Sequence, residues 1–356
     1  MKKKVIKLLT VILISIIITF ISNIYKTKAA TTTLADTVIA EAGTCTSWSS
    51  GFSGVCQTNG HEYRYVGANV NNYVSFNNDL YRIIGVFDSN STGVNANLVK
   101  LISARSIGSY TWGTNNSSPA YTTFSSITNN WEIANAKILL NEYFLNASDI
   151  STTYGDCINW TYFFSDSYVT NNIYKTDCSN IVGYGIQTTN LRNYIQPVTW
   201  YLKGLGTTVY SKSDFYNCER GQTTGNSTKD SNCKSGNGGA YSATITNTSV
   251  GLIYVSDYLY ASGYYASTNT DNGSSSSYGR QNWLYNGFEW TITPNSSTSW
   301  SKAAFSIDDG DLLDINGVSN ARPIRPTFYL KSQVYVTDGN GSFHNPYTIA
   351  CDNCSS

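Results

Sequence analysis

Eight cysteines fall into four sequence-local couples: Cys45 and Cys56, Cys157 and Cys178, Cys218 and Cys233, Cys351 and Cys354. In an exported chain an even count reads as disulfides. Proximity predicts pairing within each couple, although eight cysteines allow about a hundred connectivities. Cys351 or Cys354 could instead clip to Cys45 or Cys56. Each bridge closes a short polar loop, worth about 2–3 kcal/mol at most. Such a chain folds around loops that are stapled locally.

The amino terminus supplies the compartment. Lys2, Lys3 and Lys4 form a basic start, Leu8 to Ile21 is almost unbroken apolar sequence, and Thr27 and Ala29 are small. These are the marks of an export signal, with the cut placed after Ala29. The alternative is an uncleaved anchor, since the apolar stretch approaches a membrane span. Contact with a membrane is expected only in that case. The predicted location is secreted or cell-surface.

The same cut changes the charge. The whole chain has 23 basic and 23 acidic residues. Six lysines and no acid precede the cut, which leaves 17 against 23 and a net charge of −6. An acidic surface repels phosphate backbones, so nucleic acid is not an expected partner. Charged residues make up 13% of the chain, while tyrosines number 28. Disorder needs more charge and fewer aromatics, so the chain is folded. Tyr, Ser and Asn together also resemble the composition of binding loops, although an AT-rich genome would produce the same bias.

Zinc is not expected, because the only histidines are His61 and His344 and the sequence lacks paired C-x-x-C motifs. Redox chemistry at Cys351 and Cys354 is not expected either. That pair trails a strand instead of opening a helix.

Hydrophobic patterning predicts a short helix at Leu34 to Ala42 and strands at Arg64 to Val66, Asn72 to Phe76, Leu80 to Phe87 and Asn97 to Ser103. Asn77-Asn78-Asp79 reads as a hairpin turn. Asn129 and Glu132 fit a capping box before an apolar helical face, Ile133, Ala136, Leu140, Tyr143 and Phe144. Thr189 to Gly204 reads as helix interrupted at Pro197, and 221–242 as loop. Val250 to Val255 is a strand, followed by a helix from Asp257 to Ser262 capped by Ser256. Strands follow at Glu289 to Ile292, Ala303 to Ile307, Asp311 to Ile315, Thr327 to Leu330 and Gln333 to Thr337. The predicted class is α+β: β-rich, with antiparallel sheets, a few short helices and long disulfide-closed loops. The predicted organisation is a signal at 1–29, an N-terminal helix and stapled loop at 30–60, and one β-rich domain at 61–350. A sub-division is a candidate near 205–245, and 351–356 is a tail.

Several blocks carry a resemblance. Asn72-Tyr73-Val74-Ser75-Phe76-Asn77 leads into Arg82-Ile83-Ile84-Gly85-Val86-Phe87. Ser106 to Trp112, Cys218-Glu219-Arg220-Gly221 and Gly251 to Tyr258 follow. Trp290-Thr291-Ile292-Thr293-Pro294, Ile324 to Lys331 and Asn345-Pro346-Tyr347-Thr348-Ile349 close the set. Together they resemble a family of exported and surface-anchored proteins of Gram-positive gut bacteria, over roughly Ala68 to Ile349. Tyr81 stands where that family more often has Trp, and Ile253 where it often has Met. The resemblance by itself implies no activity. The layout of the second half is similar to C-type-lectin-like folds of the formylglycine-generating-enzyme type, by analogy only. That layout implies a core whose loop face binds ligands. The copper-binding cysteines of the enzyme branch have no counterpart.

The candidate site residues follow. Asp308, Asp309, Asp311, Asp314 and Asn316 form one dense acidic cluster. Calcium is conceivable there, because it takes oxygen ligands, but the EF-hand spacing is absent and a hairpin with outward acids is the preferred reading. No other cofactor is expected. Trp283, Tyr285, Trp290 and Trp300 are candidate stacking platforms. Strands bury aromatics routinely, so Trp283 and Trp290 are expected in the core, with Trp290 kept as a candidate contact. Trp300, in a Ser/Thr/Asn-rich loop, is the better contact. Arg322 and Arg325 are candidates to grip a ligand carboxylate, but the preferred reading is a structural pair that locks the last strand to an acid. No sequence motif marks a catalytic constellation. The expected function is an exported, non-catalytic protein that binds an extracellular glycan or protein through loops 265–280 and 295–317. The alternatives are a glycan-active enzyme with carboxylates far apart in sequence, or a structural surface-layer component.

Overall fold

The structure, a computed structural model, describes residues 32–43, 52–113, 128–147, 183–207, 210–262, 281–300, 302–308 and 313–354. It is α+β, with mostly antiparallel sheets and short helices. Its centre is the nine-residue strand Asp79–Phe87, whose second half is buried almost throughout. Strand Tyr73–Phe76 pairs with its first half and Glu62–Val66 with its second, while Leu98–Ser103 runs along the other edge. Thr327–Leu330 extends the sheet beyond Leu98–Ser103 and itself pairs with Val250–Gly251 and Ile195–Gln196. Gly85 is required where Glu62–Val66 crosses: a Cβ there would lie 2.1 Å from the Tyr63 carbonyl oxygen.

The hairpin between Tyr73–Phe76 and Asp79–Phe87 turns on two residues, Asn77 (φ 58°) and Asn78 (φ 57°). Both lie in the left-handed region that a tight primed turn requires and that Asn tolerates. The sequence marks this turn because few residues accept that backbone.

A second, three-stranded sheet joins Glu289–Pro294, Ala303–Ile307 and Leu313–Gly317. A ribbon pairs Ala321–Pro323 with Ser109–Thr111, setting Arg322 opposite Tyr110. A single cluster of buried apolar side chains joins the two sheets, including Trp112, Trp131, Trp200, Trp283 and Trp290.

Four expectations need correction. The strand at Val250 is only Val250–Gly251, and the helix after it is Val255–Ala261, capped at Tyr254, with Ser256 inside it. The stretch from Thr189 is helical only over Thr189–Arg192. Ile195–Gln196, Val198–Tyr201 and Lys203–Gly204 are strands, because β-branched and aromatic residues around Pro197 favour extended backbone. Asn129 does not cap a helix: its buried amide donates to the carbonyls of Asn295 and Ala303, and Asn130 caps a 3-10 turn, Trp131–Ile133, instead. The segment 221–242 contains helix Ser227–Asn232. It is capped by Asn226, whose side-chain oxygen accepts from two backbone N–H groups.

Cys218–Cys233 and Cys351–Cys354 are bonded, and Cys56 is in disulfide form. Cys45, Cys157 and Cys178 lie outside the described residues. Among the described residues no helix is long and apolar enough to cross a membrane.

Candidate functional site at the edge of the second sheet

Two polar constellations stand out, one sealed in the core and one open. The sealed one gathers six ionisable side chains with at most 5% exposure: Glu62, Arg64, Lys100, Glu219, Arg220 and Asp257. Alternation puts Glu62 and Arg64 on one face of their strand, and Arg64 Nη2 lies 2.7 Å from Glu62 Oε2. Lys100 Nζ reaches Asp257 Oδ2 at 2.5 Å. Arg220, just past helix Lys212–Glu219, holds Glu219 at 2.9 Å. Three cations balance three anions. Aromatic rings wall them in: Phe87, Tyr216 and Tyr260 around Arg64, and Phe87, Trp200, Tyr254 and Tyr329 around Lys100.

Hydroxyls complete the network. Ser91 and Tyr216 donate to Glu62 Oε1, Thr293 donates to Glu219, and Arg220 Nε donates to Ser91. Burial lowers the Lys100 pKa to about 8 against the pull of Asp257. Burial also opposes ionisation of Asp257, but Lys100, Arg220 and Arg64 outweigh it and hold that carboxyl below its usual range. Glu219 moves the other way, pushed up by burial. Sealed from solvent, these groups hold the elements together and present nothing to a macromolecule.

His61 and Asp88 sit at the margin of this network, with Nδ1 and Oδ2 3.0 Å apart. Together with Glu62 they place three ligand-type atoms within 4.8 Å of one another. The donor set suits a cation poorly, because Glu62 is already engaged by Arg64, Ser91 and Tyr216. The Arg64 guanidinium would repel a metal there.

The open constellation is a shallow depression of about 530 Å³ lined by Phe288, Asn320, Ala321, Arg322 and Pro323. Phe288 is 42% exposed, one of two large apolar side chains so placed among the described residues. Beside it lies Arg322, whose guanidinium is 5.0 Å from the Phe288 ring and 5.8 Å from that of Trp290. Asp308 is 3.6 Å from Arg322 Nη1, too long for a hydrogen bond. The Arg322 side chain is only 14% exposed, and its Nε is buried without a partner among the described residues.

The residues singled out in the sequence divide around this edge. Trp290 is buried and donates to the Tyr110 carbonyl at 3.0 Å, so it supports Arg322 from below. Trp283 is buried too, its indole donating to the Tyr65 carbonyl. Tyr285 packs partly buried against the core. Asp308 does not line the depression but lies next to its Arg322, and that arginine competes with any cation for its carboxylate. Asp314 and Asn316 are tied to each other, and Asn316 also donates to Ser306. Trp300 ends the 3-10 turn Thr298–Trp300, and its side chain lies outside the described residues, as do Asp309, Asp311 and the loop 263–280. Arg325 is apart from all of this: it grips Glu289 through two bonds, 2.7 and 2.6 Å, wholly inside the protein. The sequence did not single out Phe288. Its signal is a lone aromatic between Gly287 and the buried Glu289, which only the exposure distinguishes from core.

No protein-family model matches this chain, and no characterised protein or solved structure matches it at a significant level.

Proposed function

We propose that the chain is an exported, non-catalytic binding protein that engages an extracellular glycan or protein through the depression around Phe288 and Arg322. The observation that carries this reading is Arg322. The guanidinium is held beside two rings, makes no hydrogen bond to a described residue, and keeps its outer N–H groups, on a side chain 14% exposed, for an outside acceptor. The exposed Phe288 ring supplies apolar contact beside those donors.

Export is supported by the basic and apolar amino terminus and by the disulfides. Kinship with the surface proteins of gut bacteria belongs to this proposal, as does a C-type-lectin-like core. The features that favour such a core are a short helix, Val255–Ala261, a Trp-bearing strand, and a closing segment locked by Arg325.

The test is a glycan and protein array probed with the chain from Ala30 onward, with and without EDTA. Wild type should give a hit that survives EDTA. Phe288→Ala and Arg322→Met should each weaken it by at least about tenfold, as a hot-spot truncation does, with unchanged melting temperature. A hit indifferent to both variants places the contact elsewhere, and a hit lost in EDTA makes the protein a cation-dependent binder.

A further inference from the structure

We propose that Lys100 and Asp257 condense into an intramolecular amide, a covalent cross-link between strand Leu98–Ser103 and helix Val255–Ala261. The geometry is that of two reactants already held together. Lys100 Nζ is 2.5 Å from Asp257 Oδ2, and both side chains are wholly buried. Cγ lies one covalent bond beyond Oδ2, which brings it to about 3–3.5 Å from the nitrogen, the near-attack range. Fixing an amine and a carboxyl in this way gives effective concentrations of about 10⁵–10⁸ M. Neither partner has to be recruited from a loop: the lysine is on a buried strand and the aspartate in the first turn of a buried helix.

Atoms balance within the pair. The ammonium passes one proton to Oδ2, which leaves an amine beside a carboxylic acid. Nζ attacks Cγ, and the Nζ–Cγ bond forms. A second proton moves from Nζ to Oδ2, the Cγ–Oδ2 bond breaks, and Oδ2 departs as water. The third proton stays as the amide N–H. No oxidant, cofactor or outside acid enters the balance. While Cγ is tetrahedral, negative charge gathers on Oδ1. That oxygen has no hydrogen-bond partner among the described residues, and Arg64 Nη2 is 4.0 Å away, so a cation faces the developing charge.

The surroundings favour the product. Arg64 with Glu62 and Arg220 with Glu219 are complete pairs at 2.7 and 2.9 Å, so losing one cation and one anion leaves the core neutral. Condensation also removes two buried charges whose desolvation opposes the fold. The rings of Phe87, Trp200, Tyr254 and Tyr329 stand around Nζ and exclude the water that would hydrolyse the amide. Burial lowers Lys100 to about 8, which favours the amine. The three cations favour the carboxylate of Asp257, so the neutral pair is a minor state and the link forms slowly, after folding. The charges and titrations of the two residues belong to the pair before it links.

The test is the intact mass of the folded chain from Ala30 onward, taken after prolonged incubation and with its disulfides reduced. The expected mass is one water, about 18 Da, below that of the unlinked sequence, as amide condensation requires. Proteolysis and tandem mass spectrometry should give one branched peptide that joins Lys100 to Asp257, with no tryptic cut after Lys100. Lys100→Met has no amine and should keep its full mass. A folded wild type that retains its full mass, with Lys100 and Asp257 on separate peptides, would overturn the proposal. A deficit that persists in Lys100→Met, or that maps to other residues, would overturn it as well. The branched peptide is read from wild type alone, so the outcome stands even where Lys100→Met folds poorly, and it is independent of any ligand at Phe288 and Arg322.

Discussion

Lys100 Nζ lies 2.5 Å from Asp257 Oδ2, and neither side chain has any exposed surface. The lysine sits in the middle of Leu98–Ser103, a strand buried at every position, and the aspartate in the first turn of helix Val255–Ala261. Asp257 Oδ2 also accepts from the Tyr254 N–H, and its Oδ1 is 4.0 Å from Arg64. One carboxylate therefore ties a sheet strand to a helix start and offsets more than one cation. Asp257→Ala leaves three buried cations facing two acids, and should cost about 3–5 kcal/mol. Lys100→Met should cost less, because the Tyr254 N–H still donates to Asp257, Arg64 still offsets its charge from 4.0 Å, and methionine fills the aromatic cage. Urea unfolding of both variants decides this. An Asp257→Ala midpoint equal to wild type would show that the network contributes nothing.

Alkali should reveal two opposed ionisations. Lys100, lowered by burial to about 8, releases its proton in the fold before the unfolded lysine does. The unfolded state then binds more protons between about 8 and 10.5, so this group makes stability rise with pH in that window. Buried phenols act in the other direction. Burial pushes Tyr216 and Tyr260 up to about 12, and raises Tyr65, Tyr254 and Tyr329 well above the ordinary phenol value. Their stabilisation is complete below the unfolded value of about 10 and is lost as pH rises above it. Phenolate absorbance should therefore appear in two phases, exposed tyrosines near pH ~10 and the buried set only with unfolding. A single reversible phase with the fold intact would contradict the burial. In Lys100→Met the rise below pH ~10 should vanish.

What the sequence disclosed follows physical range. Local chemistry was legible: the Asn77-Asn78 turn, the helix from Leu34, and the hairpin of Ala303–Ile307 with Leu313–Gly317. Core aromatics, Trp283 in a turn and Trp290 in a strand, were correctly placed inside. The ionic core was not legible, because Glu62, Lys100, Glu219 and Asp257 meet only through tertiary contacts. It still left a trace. With 13% charged residues, a lysine inside Leu-Val-Lys-Leu-Ile-Ser is an anomaly that asks for a buried partner. The edge depression escaped for the opposite reason: Phe288 is unusual for its exposure, and exposure leaves no mark on a single sequence. Asp308 was legible as an acid in a dense cluster, but its neighbour Arg322 lies on another ribbon.

The two turn asparagines should respond differently to glycine. Asn78 is exposed and its backbone is left-handed, so Asn78→Gly relieves that strain and should stabilise by about 0.5–1 kcal/mol. Asn77 shares the conformation, but its side chain donates to the Gly185 carbonyl at 2.8 Å and accepts from the Gln187 N–H at 2.9 Å. Asn77→Gly removes both bonds from a buried site and should destabilise by about 1–3 kcal/mol in spite of the easier turn. Thermal melts of the pair measure the difference. Equal shifts would mean that the clip to Gly185 and Gln187 carries no net free energy.

The two bonded cysteine pairs should separate under reduction. Cys218–Cys233 closes a 15-residue span, worth about 3 kcal/mol in the chain-entropy account. It also anchors the end of helix Lys212–Glu219, where Glu219 and Arg220 enter the ionic core. Losing the bridge lets that end fray and exposes charges whose partners are buried. Cys351–Cys354 closes a span of three beside the carboxyl end, where Lys331 Nζ donates to the Cys354 carbonyl. Its entropic worth is about 2 kcal/mol by the same relation, and no charged network depends on it. Cys218→Ala/Cys233→Ala should therefore lose more stability than its loop length alone accounts for, and Cys351→Ala/Cys354→Ala no more than its own. Urea midpoints of the two double variants, read beside Asp257→Ala, test whether the first bridge acts through the core. If combining the Cys218 pair with Asp257→Ala gave a strictly additive loss, bridge and network would be independent, and the anchoring role of Cys218 would be wrong.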